Sequence, residues 1–341
     1  MVDRPTIHDL AKAAGVSVAT VDRVLNQRLP VRSDTTQRVV AAAEAIGYHA
    51  TGLLKRRMVE VPKRRLGFLL QKRDNFYQEF GHHLVAATKL NKDIEGKPIL
   101  EFMEELVPST IASRLNEMVP RVDAIAIVAM DHPQVNEAVE AAKARGKPVF
   151  TLVSQITTSA CAGHFGLDSR KAGRIAGWTI SRTAHKAGKI GILVGSHGYL
   201  NQELSEISFR SFMREHAAEF QLLEPIINLD DEHIAYEAVS EMVSRYPDLV
   251  GIYVSGGGQD GLIRALRELG SGPRPIAVCN ELSATTRAAL IDGVIDLALA
   301  TPIAALATRA VEAMVKACIC ADVPHLAPIM LPPYIYLSEN I

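Results

Sequence analysis

No run of 18 apolar residues occurs in the chain, which excludes an ordinary membrane-spanning helix. Cysteine is scarce. Cys161, Cys279, Cys318 and Cys320 lack metal-ligand spacing, and residues two apart on a helix point to different faces. They are expected to be reduced packing residues of a cytosolic protein. Aromatic residues are only 5% of the chain, and no low-complexity tract appears. No charged-then-apolar leader precedes the first helical pattern, so a cytoplasmic protein without a membrane partner is expected. The net charge of −1 excludes a uniformly basic nucleic-acid coat.

The charge that is present is unevenly placed. Residues 1–65 carry twelve Lys/Arg against six Asp/Glu, which leaves the remainder of the chain acidic. Within this basic head, Thr6 to Asn26 reads as two short helices joined at Gly15. Thr6 suits an N-cap, with Asp9 in the first turn. Ile7, Leu10, Ala11 and Ala14 form one apolar stripe. Ser17 caps the second helix, whose Val21, Val24 and Leu25 face inward. A third helix runs from about Ser33 to Ile46, with Ser33 or Asp34 as cap. This is a helix-turn-helix pattern, which lays one helix across the DNA backbone and a second in the major groove. Residues 1–49 form this unit. Residues 50–65 read as a short basic helix near 51–58 followed by a linker.

From Leu66 onward, buried apolar strands alternate with amphipathic helices up to a late strand at 329–336. Such alternation gives parallel sheets with helices on both faces. The strands are too many for one ordinary open sheet, so two doubly wound lobes are expected. Lobe 1 is placed at about 66–164 and 298–323, and lobe 2 at about 165–297 and 324–341. Ligands of such folds bind at the carboxyl ends of strands, in the crevice between lobes.

Three segments of the head, T-I-x-D-L-A-x-x-A-G-V-S, T-V-x-R-V-L-N and R-V-V-A-A-A-E-x-I-G-Y, resemble the DNA-binding head of the LacI/GalR repressors. The body resembles that family's effector domain, a type I periplasmic-binding-protein-like fold, through L-G-F-L-L, G-x-D-S-x-x-A-G-R and G-L-I-R-A-L-R-E-L-G. The resemblance implies a homodimer on near-palindromic operator DNA, controlled by a small-molecule effector such as a sugar or polyol. Three departures stand out. Asp22 replaces the family's usual Ser, and is expected to pair with Arg23 or a basic neighbour. Arg57 occupies the family's minor-groove leucine position, with Leu54 or Met58 as substitutes. Ser255 to Asp260 replaces an Asn-Asp pair that often touches ligand.

By position, Val18, Ala19 and Arg23 reach base edges, and Arg23 suits a bidentate contact to guanine. Thr6, Ser17, Thr20 and Asn26 are candidate backbone contacts, and Tyr48 is either another or a packing residue. Lys55, Arg56 and Arg57 belong either to a hinge helix that folds on DNA or to a solvated linker. Strand ends nominate Phe76 and Tyr77 (one of them core), Asp131, His132, Asn201 or Gln202, Gln259, Asp260, Asn280 and Glu281. Asp168 matches the family's ligand-contacting Asp. Polar groups converging at strand ends suit a polyol, whose hydroxyls each need a partner on desolvation. The glycine run at 256–258 lacks the P-loop Lys-Ser/Thr and the G-x-G-x-x-G fingerprint, so it reads as a pocket-lining turn. No nucleophile–base pair or metal cluster appears at chemical spacing, so neither catalysis nor a cofactor is expected. The rival readings are a solute-binding protein of a transport system and a sugar-acting enzyme carrying a DNA-binding head.

Overall fold

The computed structural model describes residues 4–26, 31–52, 54, 61–72, 75–104, 107–196, 198–270, 274–320 and 326–341. The chain divides into two compact units, Met1–Pro62 and Lys63–Ile341.

The head is built on α1 (Ile7–Ala14), α2 (Val18–Asn26) and α3 (Ser33–Ala45). Thr6 and Asp9 form a reciprocal capping box, with the Thr6 amide donating to Asp9 Oδ2 at 2.8 Å. Those hydrogen bonds from Thr6 hold the Asp9 carboxyl below its ordinary range. Gly15 ends α1 at φ +64°, a left-handed conformation that a side chain disfavours. Arg38 of α3 then locks the turn, donating through Nη2 to the Ala14 carbonyl at 2.8 Å and the Gly15 carbonyl at 3.0 Å. The small core includes Leu10, Ala11, Val21, Val24, Val39, Ala43, Tyr48 and Leu54.

Four expectations for the head change. Tyr48 is buried, so it packs. Leu54 is 1% exposed within the head core, and a side chain spent there does not form a wedge in a groove. Asp22 accepts from Asn26 Nδ2 at 2.6 Å, because i and i+4 share a helix face, whereas the adjacent Arg23 points elsewhere. The N-cap of α3 is Arg32, with no side-chain cap, rather than Ser33 or Asp34. Lys55, Arg56, Arg57 and Met58 lie outside the described residues.

The body holds two sheets. The first orders β2 (Glu95–Met103), β1 (Lys63–Gln71), β3 (Ala124–Ile127), β4 (Val149–Leu152), β5 (Gly163–Leu167) and β12 (Ile329–Leu331), every neighbouring pair parallel. The second orders β7 (Gln221–Leu222), β6 (Lys189–Val194), β9 (Leu249–Val254), β10 (Ile276–Asn280), β11 (Leu297–Ala300) and β13 (Tyr334–Tyr336), with β8 (Ile226–Ile227) also on β6. Only β13 pairs antiparallel among these described strands. Helices α4 (Asn75–Leu90), α5 (Pro108–Met118), α6 (Pro133–Ala144) and α12 (Ile303–Ile319) accompany the first sheet; α7 (Ser169–Thr183), α8 (Leu200–His216), α9 (Glu232–Arg245), α10 (Gln259–Glu268) and α11 (Ala284–Ile291) accompany the second. Phe68, Phe80, Phe150 and Phe165 are fully buried in the first lobe's core. Each such side chain contributes roughly 1.5–3 kcal/mol of burial.

The lobe boundaries differ from those expected. The body starts at Lys63, because Lys63–Arg65 pair in register with Glu95–Lys97. All of β5 stays in the first sheet and all of β11 in the second, so the chain crosses after Leu167 and after Ala300. The expected late strand 329–336 is two strands in different sheets. Pro332 and Pro333 break it, since neither has an amide proton for the ladder. Between α8 and α9 the chain forms only the two-residue strands β7 and β8. Cys161 and Cys279 are buried, but Cys320 is exposed.

Two predictions follow from packing. Arg38→Ala should destabilise the head by about 1–2 kcal/mol, because two carbonyls lose a charged donor; faster amide exchange in α1–α3, with exchange in the body unchanged, is the readout. His164 is 3% exposed, with Nδ1 on Thr151 Oγ1 at 2.8 Å and a buried, unpartnered Nε2. Burial lowers its pKa to about 4 from 6.5. The folded pKa is depressed, so only the unfolded chain gains a proton as pH falls from 6.5 toward 4. The neutral-ring stability should be fully present above pH 6.5 and lost by about 3 kcal/mol across that window. Urea melts of wild type and His164→Gln should show that slope in the former only.

Candidate functional site

The strand carboxyl ends of both lobes open on one cavity of about 410 Å³. The first lobe contributes Gln71, the last residue of β1, together with Phe76 and Tyr77 on the first turn of α4 and Val153 just after β4. The Phe76 and Tyr77 rings meet edge to face, with centroids 4.9 Å apart. Both are half-buried and both line the cavity, whereas one was expected to be core; Phe80, a turn further on, fills that place. Gln71 Nε2 donates to Tyr199 OH at 2.9 Å, and the Asp131 amide donates to the Gly198 carbonyl at 3.2 Å. These two bonds tie the lobes together beside the cavity.

The second lobe supplies most of the wall. Asn201, Gln202, Asp230, Asp231, Glu232, Ser255, the glycines at 256–258, Gln259, Asp260, Asn280 and Glu281 all line it. Asp230 organises this wall. Its Oδ1 accepts from the Gly257 amide at 2.6 Å and from Gln202 Nε2 at 3.2 Å. The carboxylate fits only because nothing projects from its neighbours: a Cβ on Gly195 would lie 1.8 Å from Oδ1, and one on Gly256 2.8 Å. Gly258 has φ +94° and would place a Cβ 2.3 Å from Asn228 Nδ2, which itself donates to the Gly257 carbonyl at 2.8 Å. The glycine run is therefore shaped by packing against Asn228 and Asp230. Gln259 Nε2 joins two strand ends, donating to the carbonyls of Gly256 at 3.1 Å and Asn280 at 2.8 Å. Asn280 Nδ2 donates to the Ser255 carbonyl at 2.8 Å.

Backbone strain gathers at the same place. Among the described residues, the non-glycine positions with positive φ are Val153 at 65°, Leu229 at 54°, Asp230 at 56° and Glu281 at 66°. Three of these line the cavity and the fourth adjoins it. Each costs about 1–3 kcal/mol and persists only where surrounding contacts over-determine it. For Glu281 those contacts are its own amide, which donates to the Leu299 carbonyl at 3.0 Å, and its carboxylate, which accepts from the Thr301 amide at 3.0 Å and from Thr301 Oγ1. Thr301 opens the crossing after β11. A residue that lines the cavity thus also holds a connection that joins the lobes.

Phe76, Tyr77, Asn201, Gln259, Asp260, Asn280 and Glu281 come together in the cavity, whereas three other expected residues fall outside its lining. Asp131 Oδ1 is occupied by Asn136 Nδ2 and by the amide and hydroxyl of Thr157. His132 caps α6, its Nδ1 accepting from the Gln134 amide at 3.3 Å. Asp168 caps α7 through the Lys171 amide, pairs with Lys171 Nζ at 3.2 Å, and donates its own amide to the Leu331 carbonyl on another crossing strand. Helix caps and cavity residues occupy the same strand-end positions, and only three-dimensional direction separates them. Gln71, Val153, Asp230, Asp231, Glu232 and Ser255 were not anticipated. The acidic run follows β8 and obeys the same strand-end rule, but it reads equally well as the cap of α9, which Asp231 is.

In the head, α2 leaves Ala19, Arg23 and Asn26 exposed and Val18 and Thr20 half-buried. Ser17 Oγ accepts from the Thr20 amide at 3.2 Å and bonds its hydroxyl, and Thr6 is engaged in its capping box. Among the described residues no group of three or more His, Cys, Asp or Glu is placed to hold a metal ion, and no helix is long and apolar enough to cross a membrane.

Residues 90–319 match the periplasmic binding protein domain family, over more than half of the chain. The chain belongs to that family. Residues 6–51 of this binding-protein-family chain match the lacI family of bacterial regulatory proteins. Among sequence relatives, the HTH-type transcriptional regulator GalR of Lacticaseibacillus casei is 56% identical over 45 residues, 13% of this chain and 14% of that protein. The ribose operon repressor of Bacillus subtilis is 33% identical over 119 residues, 31% of this chain and 35% of that protein. The matched stretches thus span about a third or less of these relatives. The body superposes on an ABC transporter solute-binding protein from Burkholderia graminis in complex with D-arabinose, with TM-score 0.76, 18% identity, and coverage of 83% of this chain and 98% of that one. A Bacillus halodurans solute-binding protein with bound myo-inositol gives TM-score 0.73, 15% identity, and coverage of 83% and 97%. These likenesses establish the two-lobed fold.

The glycine packing yields a paired prediction. Gly258→Ala should destabilise the body by about 2–3 kcal/mol through collision with Asn228 and a disfavoured φ. Gly146→Ala, at φ +70° with open space around it, should cost only about 1 kcal/mol. Denaturant melts of the two variants check the difference.

Proposed function

We propose that the protein is a sequence-specific transcriptional regulator, a repressor acting as a homodimer in the cytoplasm, whose operator affinity is set by a small sugar or polyol bound between the lobes. One conjunction carries this reading. A lacI-type head with Arg23 exposed on its second helix shares a chain with a binding-protein body that encloses a polar cavity of about 410 Å³. That volume suits a ligand of monosaccharide size. The relatives named as GalR and as a ribose operon repressor, and the similar folds holding D-arabinose and myo-inositol, point the same way. A transport solute-binding protein would use the body alone and leave the head without a task.

In this reading Arg23 reads a guanine edge through two parallel N–H donors, and Val18 and Ala19 offer apolar contact to a thymine methyl. Thr6, Ser17, Thr20 and Asn26 position the head on phosphates without reading sequence. Lys55, Arg56 and Arg57 add positive charge immediately after it in the chain. A homodimer couples two weak heads through effective concentration. Ligand control rests on Glu281, which lines the cavity and whose carboxylate holds Thr301. A ligand that engages Glu281 shifts the balance between lobe arrangements, and with it the population competent for operator.

Selection from random duplexes with the full chain should enrich a near-palindromic site. Arg23→Ala should lose discrimination at one position per half-site, by about 1–3 kcal/mol at fixed salt. Failure to enrich any sequence would remove the DNA-binding reading. Thr301→Val should leave ligand-free operator binding near wild type while altering the response to an added sugar. An unchanged response would remove the role given to Glu281.

A further inference from the structure

A turn of the second lobe grips the first. It lies between β6 and α8 and carries Ser196, Gly198 and Tyr199. The Gly198 carbonyl accepts from the Asp131 amide at 3.2 Å, and Tyr199 OH accepts from Gln71 Nε2 at 2.9 Å. A Cβ on Gly198 would lie 3.7 Å from Met130 Cβ, an ordinary packing distance, so the turn also lies against Met130. Gln71 and Tyr199 are 4% and 6% exposed, so water competes poorly for their bond. The first-lobe side of the grip is fixed within its own lobe. Asp131 Oδ1 accepts from Asn136 Nδ2 and from the amide and hydroxyl of Thr157.

The second-lobe side is fixed by Gln202, on the first turn of α8. Its Oε1 accepts from the Ser196 amide at 2.8 Å, and its own amide donates to the Tyr199 carbonyl at 3.0 Å. Within the turn, Ser196 Oγ accepts from the Gly198 amide at 3.1 Å, and the Tyr199 amide donates to the Ser196 carbonyl at 3.2 Å. The other end of the same carboxamide, Nε2, donates to Asp230 Oδ1 at 3.2 Å. Glycines make its slot: Cβ atoms on Gly195 and Gly256 would lie 2.7 and 2.8 Å from Gln202 Oε1. One planar group therefore joins the hub of the cavity wall to the turn that holds the first lobe.

We infer that Gln202 is a positioning residue, which passes the state of the Asp230 wall to the turn at Ser196–Tyr199 and so helps set how the two lobes stand. This rests on the ligand-controlled reading proposed above and adds to it a route separate from Glu281. A ligand that draws on Asp230 competes with Gln202 for the same carboxylate. The carboxamide is rigid and closely packed, so whatever displaces its nitrogen end also displaces the oxygen that holds the Ser196 amide. The turn then presents Gly198 and Tyr199 differently to Asp131 and Gln71. Tyr199 lies outside the cavity lining, so its part is to hold the lobes rather than to meet the ligand.

The test is residue-resolved amide exchange of the full chain, read at Asp131, whose amide bridges the lobes, with amides of β3 and β6 as controls. Tyr199→Phe removes the acceptor of Gln71 and should speed Asp131 exchange about fivefold. Gln202→Met fills similar space without the carboxamide and should do the same from within the second lobe. The double variant should exchange no faster than the faster single one. Asp230→Asn should speed Asp131 exchange in the wild-type background and have no further effect beside Gln202→Met. The control amides should keep their rates throughout. Asp131 exchange unchanged by Gln202→Met overturns the inference. So do effects of Tyr199→Phe and Gln202→Met that multiply, which would mark two independent routes, or an Asp230→Asn effect that survives Gln202→Met. Equal acceleration of the controls marks general loosening and overturns it as well. No sugar enters the comparison, so its failure leaves the sugar reading standing, and a failure of that reading leaves these rates unchanged.

Discussion

The cavity depends on the bond from the Gly257 amide to the Asp230 carboxylate, 2.6 Å long. It anchors the loop after β8 to the loop after β9 and brings Gln202 of α8 to the same oxygen. The bond exists because Gly195, Gly256 and Gly257 present no side chain where the Asp230 side chain sits. Asp230 and its neighbour Leu229 adopt positive φ to reach it. Charge-assisted hydrogen bonds are about twice as strong as neutral ones, which offsets that backbone cost. Three otherwise separate connections of the second lobe, those after β6, β8 and β9, become one wall.

Glu281 repeats the device at the other side of the wall, with a further purpose. It too is held at positive φ, and its carboxylate restrains Thr301 at the start of a connection between the lobes. Asp168 and Leu331, on the other two crossings, are joined by a backbone hydrogen bond of 2.7 Å. The three connections are thus fastened to one another or to the cavity rather than left as free linkers. Strain in the cavity wall and restraint of the crossings are two ends of the same short network.

The head was legible because its signals are local. Thr6, Asp9, Gly15 and the stripe of Leu10, Ala11 and Ala14 lie within about two and a half turns of one another, and caps and stripes are read from such spacings. The alternation of strands and helices in the body was legible for the same reason. The single late strand was not, because Pro332 and Pro333 end a ladder without saying which sheet the chain joins next. Asp131, His132 and Asp168 have the residue types and strand-end positions of ligand contacts, yet they cap helices or tie loops. Asp230 has the look of a helix cap and is the hub of the cavity. Caps and ligand contacts use the same side chains at the same chain positions.

The sequence by itself determined a basic helix-turn-helix head, an acidic two-lobed α/β body and the strand ends at which a ligand would sit. Those follow from periodicity, capping and charge, all of which act over a few neighbouring residues. Only the tertiary structure decided which polar residues line the cavity and which of their atoms already bond to other parts of the protein. That outcome depends on contacts such as Gln71 with Tyr199, which lie 128 residues apart in the chain. No local pattern encodes a bond between positions so distant; it exists only once both sheets have formed and the chain has crossed between them.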